Sequence, residues 1–141
     1  MKKILPVAVM TALAGVNAHA AVNINNDGTG QVLLYPFYTA EGGQDTYINV
    51  VNTTSAYKAV KVRVLESMNS VEVLDFNLYM SPNDHWSAVI TADPAGDGAM
   101  IVTADNTCTV PNALSDGNAI PFRNYEYATD TIDNKIGRAH V

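Results

Sequence analysis

From Thr46 to Thr91 the chain alternates apolar and polar residues in short runs separated by turn formers, and this pattern confines it to extended, paired backbone. Tyr47 to Val51 is the first run, closed by the polar cluster Asn52-Thr53-Thr54-Ser55. Ala59 to Leu65 places Val60, Val62 and Val64 on one face and Lys61 and Arg63 on the other, and its β-branched residues favour a pleated strand over a helix. Glu66-Ser67-Met68-Asn69-Ser70 reads as a hairpin connection. In the next run Leu74, Phe76 and Leu78 form the expected buried row, because the opposite row of Val71, Val73, Asp75, Asn77 and Tyr79 carries the polar groups. Ser81-Pro82-Asn83-Asp84 is a turn, after which Trp86, Ala88 and Ile90 point inward. Four strands joined by short polar turns predict an antiparallel sheet. A sheet with one apolar face must be covered, so a second sheet and an all-β, immunoglobulin-like sandwich are expected.

The chain before this stretch reads as export machinery. Met1-Lys2-Lys3 is a basic opening, Ile4 to Val16 carries no charge, and Ala18-His19-Ala20 ends in small residues at its first and third positions. That is the layout of a secretory signal peptide over residues 1–20, with cleavage after Ala20. The apolar run is too short to anchor the chain across the membrane. No cysteine follows it to carry a lipid. After cleavage no segment is long and apolar enough to cross as a helix, and the expected location is the cell surface or the medium, with the periplasm as the other exported compartment.

Lys2 and Lys3 leave with the signal. If Arg138 is set aside with the tail discussed below, five basic residues face all fourteen acidic ones, a net of −9. Such a surface argues against nucleic acid and against anionic lipid as partners. Residues 21–30 are a polar, glycine-rich lead-in. Asn23-Ile24-Asn25-Asn26-Asp27-Gly28 has the alternating oxygens of a calcium loop, but Asn23 stands where an acid should open it and Leu34 where a carboxylate should close it. An ordinary turn is the expectation. Gln31 to Tyr38 is a strand that Pro36 must hold at an edge or bend, with Tyr35 and Phe37 on one face. Asp93-Pro94-Ala95-Gly96-Asp97-Gly98 is a loop whose two aspartates are expected to be solvated, and Ala99 to Ala104 is a further strand. Beyond Asp105 the pattern fades, with Phe122 and Tyr125 to Tyr127 hinting at one more.

Cys108 is the only cysteine of an exported chain, and exported proteins usually pair theirs. Three fates are open to it: a free buried thiol, a bridge to another molecule, or a partner cysteine missing from this sequence. The last gains weight from Ile136-Gly137-Arg138-Ala139-His140-Val141, which has the spelling of a widely used sequencing adapter translated in one frame. The sandwich domain is therefore assigned to residues 31–135, truncated at its end, and residues 136–141 are expected to be artefact.

Chemistry is thinly represented. With His19 in the signal and His140 in the tail, His85 is alone, which rules out a multi-histidine zinc site built within this segment. No nucleophile elbow accompanies it, and Asp84-His85 is better read as the polar turn before Trp86. Glu66 and Glu72 flank a hairpin, where exposed acids are the default. Asn52-Thr53-Thr54 spells a glycosylation sequon, to which a bacterial-looking signal gives little weight. No catalytic, cofactor or metal residue is assigned, and catalysis is not expected of this segment. The aromatics Tyr35, Phe37, Tyr38, Tyr47, Tyr57, Tyr79 and Trp86 are available for stacking on sugars, but core packing is the expected use.

As a set, GQVLLYPFYT (30–39), INVVNTT (48–54), KAVKVRVLESMNS (58–70) and VLDFNLYMSPNDHW (73–86) resemble an uncharacterised family of exported Gram-negative bacterial proteins. The resemblance implies a surface-exposed or secreted β-rich protein, often longer than this one, and brings no catalytic residue with it. At the level of fold alone, the Asn-Thr corner, the valine strands and the Pro-x-Asp-x-Trp turn look like those of immunoglobulin-like modules on bacterial surfaces. The expected function is structural or adhesive, through contacts with another surface protein or a polysaccharide. The alternative is an accessory or carbohydrate-binding module of a secreted enzyme whose catalytic part lies beyond Lys135.

Overall fold

The computed structural model describes residues 24–96, 98–111, 114, 117–125 and 134–141. The expected signal peptide lies outside them, as do Asn23, Asp97 and residues 126 and 127.

Among the described residues nine strands form two antiparallel sheets, and no helix occurs. They are β1 (Leu34–Thr39), β2 (Thr46–Val51), β3 (Lys58–Glu66), β4 (Glu72–Met80), β5 (His85–Ala92), β6 (Ala99–Val102), β7 (Cys108–Val110), β8 (Ala119–Pro121) and β9 (Ile136–His140). One sheet has the order β1-β9-β3-β4-β7, the other β2-β5-β6-β8. The all-β sandwich expected from the alternation is the fold.

Alternation decides which side of each strand is buried. Ile48 and Val50 of β2 face inward and pair in register with Ala88 and Trp86 of β5. Val62 of β3 lies opposite Phe76 of β4, and Ile90 of β5 opposite Ile101 of β6. Phe76 and Trp86 then meet between the sheets, ring centres 5.7 Å apart and tilted by 55°. Each such side chain contributes roughly 1.5–3 kcal/mol on burial, so the facing rows hold the layers together. Trp86 is fully buried, and its indole N–H has no hydrogen-bond partner among the described residues.

Three expectations change. The four central strands do not form one meander, because only β3–β4 is a hairpin. β2 pairs instead with β5 in the opposite sheet, so the chain crosses between sheets at 52–57 and again at 81–84. β1 is an edge strand, as Pro36 requires, but its face assignment was wrong. Its register with β9 shifts between Tyr35 and Tyr38, and the irregularity breaks the two-residue period. Tyr38 is therefore buried and Tyr35 packs against the core, while Phe37 is exposed. β7 lies where no strand was expected, since three residues with only Thr109 inward make no readable period.

Ile136–His140, the residues spelled like an adapter, form β9 between β1 and β3. The slot is narrow. A β-carbon on Gly137 would collide with the carbonyl oxygen of Leu65 and come within 2.7 Å of the Tyr38 ring.

Candidate functional site

The polar residues singled out from the sequence are mostly structural. Asn52 is buried at the first crossing, and its Nδ2 donates to the carbonyls of Ala56 and Ser81, each at 2.7 Å. Its Oδ1 accepts from the Thr54 amide and hydroxyl. An amide nitrogen used in this way is not open to a glycan in the folded protein. Asp84 accepts from the Ser81 and His85 amides, as its turn role requires, and His85 stands exposed at the start of β5. With Pro82 second and Asn83 third at φ 55°, the turn 81–84 uses the residues that a type II turn favours. Asn25 accepts from the Asp27 amide and donates to Thr29, which makes residues 25–29 an ordinary turn. Asp93 caps the amide of Ala95.

One expectation is overturned, and one open alternative is removed. Glu66 is fully buried, not exposed, and its carboxylate accepts from the amides of Met68, Asn69 and Val71 at 2.6, 2.7 and 3.0 Å. Burial raises its proton affinity, but the converging amides of Val71, Met68, Asn69 and Ser70 outweigh this and hold the carboxyl below its usual range. Glu72 instead pairs with Arg63 on the outer face. Cys108 is exposed on edge strand β7, so the free buried thiol is excluded. No group of three metal-binding side chains occurs among the described residues.

What the fold does assemble is a flank. β1 and β2 are edge strands of different sheets, clamped at one end by Thr46, whose hydroxyl donates to the Thr39 carbonyl and accepts from its amide. Further along, the Tyr35 hydroxyl donates to the Asn49 carbonyl and covers part of the open edge of β2. Burial pushes that hydroxyl's pKa up, which keeps it a donor. Ile24, Val32, Leu34 and Val51 are exposed around a groove of about 1000 Å³ between the lead-in and β2. Phe37 and Tyr47 are exposed on the same two strands, 61% and 72% accessible.

On its other side, residues 30–33 border a second groove of about 530 Å³, walled by the start of β3. Leu33 exchanges both backbone hydrogen bonds with Val141, continuing the β1–β9 ladder. β9 pairs with β3 only from Arg63 to Glu66, so Lys58 to Val62 have a ladder partner on the β4 side alone among the described residues. Val50 and Met80 of the core line this groove, together with Leu33 and Val60. The polar, glycine-rich pattern of residues 21–30 predicts a lead-in and does not reveal that its end borders these grooves. The signal missed was spatial, because β1 and β3 are far apart in the chain and one strand apart in the sheet.

No family model, no curated protein and no solved structure matches this chain.

Proposed function

We propose that this protein is an exported structural or adhesive module, an immunoglobulin-like sandwich that works at the cell surface or outside the cell through contacts rather than turnover. The observation that carries the reading is the β1–β2 flank, where Ile24, Val32, Leu34, Phe37, Tyr47 and Val51 are exposed on and beside two neighbouring edge strands. Ile24, Val32, Leu34 and Val51 line one groove there, and exposed apolar surface gathered in this way is what interaction sites present. The basic, uncharged and small-residue segments of 1–20 support export.

The carbohydrate-binding reading has weaker support. Tyr47 and Tyr79, two of the exposed rings, stand on the outer faces of different sheets and cannot form one stacking platform.

The test has two arms. Fractionation and protease shaving of a Gram-negative host should find the mature chain outside the inner membrane, and accumulation in the cytoplasm would overturn the reading. The combined variant Leu34→Ser, Phe37→Ser, Tyr47→Ser should fold normally and lose retention on cells or in assemblies. Unchanged retention would remove the flank as its basis.

A further inference from the structure

Among the described residues the two sheets end in four edge strands, β1 and β7 in one and β2 and β8 in the other. Three of these carry features that discourage pairing with another chain. β1 holds Pro36 and an irregular register, β8 is three residues long and ends in Pro121, and β7 is three residues long. β2 is different. It runs for six residues in unbroken register with β5, without a proline or a charge.

Backbone parity shows what this edge offers. The Asn52 amide donates to the Asp84 carbonyl, and the same register carries Val50, Ile48 and Thr46 along β5, so the even-numbered residues face that strand. Tyr47, Asn49 and Val51 therefore turn their N–H and C=O groups to the free side. The Tyr35 hydroxyl caps one of these groups, the Asn49 carbonyl. The groove of about 1000 Å³ borders Asn49, Val51 and Thr53 and leaves room for a strand beside them.

We propose that β2 pairs antiparallel with β2 of a second copy, about a twofold axis at Asn49, so that the two four-stranded sheets become one continuous sheet. The strand is complementary to itself in that register. Tyr47 meets Val51 of the second copy on the outer face, an aromatic and β-branched pair, and the two Asn49 side chains face each other. Ile48 meets Val50 on the inner face. Charge permits this contact and few others. Two chains of net charge −6 repel, yet no strand of this sheet contains Asp, Glu, Lys or Arg. Asp45, just before β2, falls opposite Thr53 and not opposite another acid. The inference rests on the reading of the flank as a contact surface and gives that contact its partner.

Sedimentation of the purified protein should show a monomer–dimer equilibrium that tightens as salt is raised, because salt screens the net negative charge. Asn49→Lys and Asn49→Glu each set like charges opposite one another across the axis, and each should weaken dimerisation about tenfold. Mixed in equal amounts, the two variants should recover the parent's affinity as a heterodimer. Asn49 is exposed, so both variants should keep the parent's denaturation curve. Tyr35→Phe uncaps the Asn49 carbonyl and should tighten the dimer. In hydrogen exchange the amides of Tyr47, Asn49 and Val51 should slow with rising concentration more than those of Ile48 and Val50, which β5 already holds. A monomer at every concentration, a dimer that both charged variants keep, or a mixture no tighter than its parts would overturn the pairing. Slowing of those three amides in a monomer, and only when a valine–threonine hexapeptide is added, would give the edge to another protein's strand and overturn the second copy. If the chain stays monomeric while surface retention still depends on Leu34, Phe37 and Tyr47, this inference falls and the reading of the flank stands.

Discussion

The side-chain amide of Asn52 donates to the carbonyl of Ser81 at 2.7 Å, and this bond joins the crossing at 52–57 to the crossing at 81–84. Two backbone bonds reinforce it, from the Asn52 amide to Asp84 and from the Asn83 amide to Thr54. The corner at 52–57 and the turn at 81–84 are thus one hydrogen-bonded unit, and that unit directs β2 to β5 rather than to β3.

Replacing Asn52 by alanine should therefore cost far more than a surface substitution. Ala56, Ser81 and Thr54 each lose a side-chain partner at a partly buried site. A loss of about 2–4 kcal/mol is expected, read as a lower urea midpoint at unchanged slope. Asn52→Asp should be at least as damaging near neutral pH, because a carboxylate would face two carbonyl oxygens.

Glu66 gives the protein a defined acid sensitivity. Its folded form holds the proton less tightly than the unfolded chain does. The unfolded state therefore binds more protons, and stability rises with pH across the window between the two values. The contribution is complete above the unfolded value of about 4.5 and disappears as pH falls through the lower folded value. Glu66→Gln should destabilise the protein by about 1–3 kcal/mol at pH 7, since an NH₂ group then faces amide donors. The gap between variant and parent should close in denaturation curves below pH 4.5. A constant gap down to pH 3 would show that the carboxylate's charge is irrelevant.

Alternation made the extents of β2 to β6 readable to within a few residues. The register shift between β3 and β4 upset the faces at the start of β4, where Val73, expected outward, is buried and Leu74, expected inward, is only partly so. Pairing was less readable. A four-residue polar link such as 81–84 serves a hairpin as well as a crossing, and what decides is Asn52, distant in sequence. Glu66 was misread for a related reason. An acid beside a turn is exposed by default, and only the amides of 68–71 folding back over it make burial tolerable. The flank and the groove were least legible, since both depend on which strands lie side by side.

Cys108 should be open to reagents in the native state. It is exposed on an edge strand, so one thiol per chain should react with Ellman's reagent without denaturant. Cys108→Ser should change stability by no more than about 0.5 kcal/mol. A native thiol count near zero that reducing agent restores would mean that the cysteine is bridged, and the mass of the unreduced protein would then tell a second copy from another partner.

Gly137 makes the demand of the β9 slot explicit. A methyl group there has no room between the Leu65 carbonyl and the Tyr38 ring, whose hydroxyl is fixed 2.8 Å from the Asn134 carbonyl. Because Leu65 contributes backbone and Tyr38 is buried, neither yields cheaply. Gly137→Ala should then cost about 1–3 kcal/mol by overpacking, or expel β9 and raise exchange at Arg63 to Glu66. Arg138→Ala, on the exposed parity of the same strand, should stay within about 0.5 kcal/mol. The same geometry bears on the adapter-like spelling of residues 136–141. Resequencing the locus past the codon for Lys135 is the direct check, and if it returns different residues, those that take this slot should place glycine opposite Glu66. A bulky residue there would mean that the native strand runs in another register or elsewhere in the sheet.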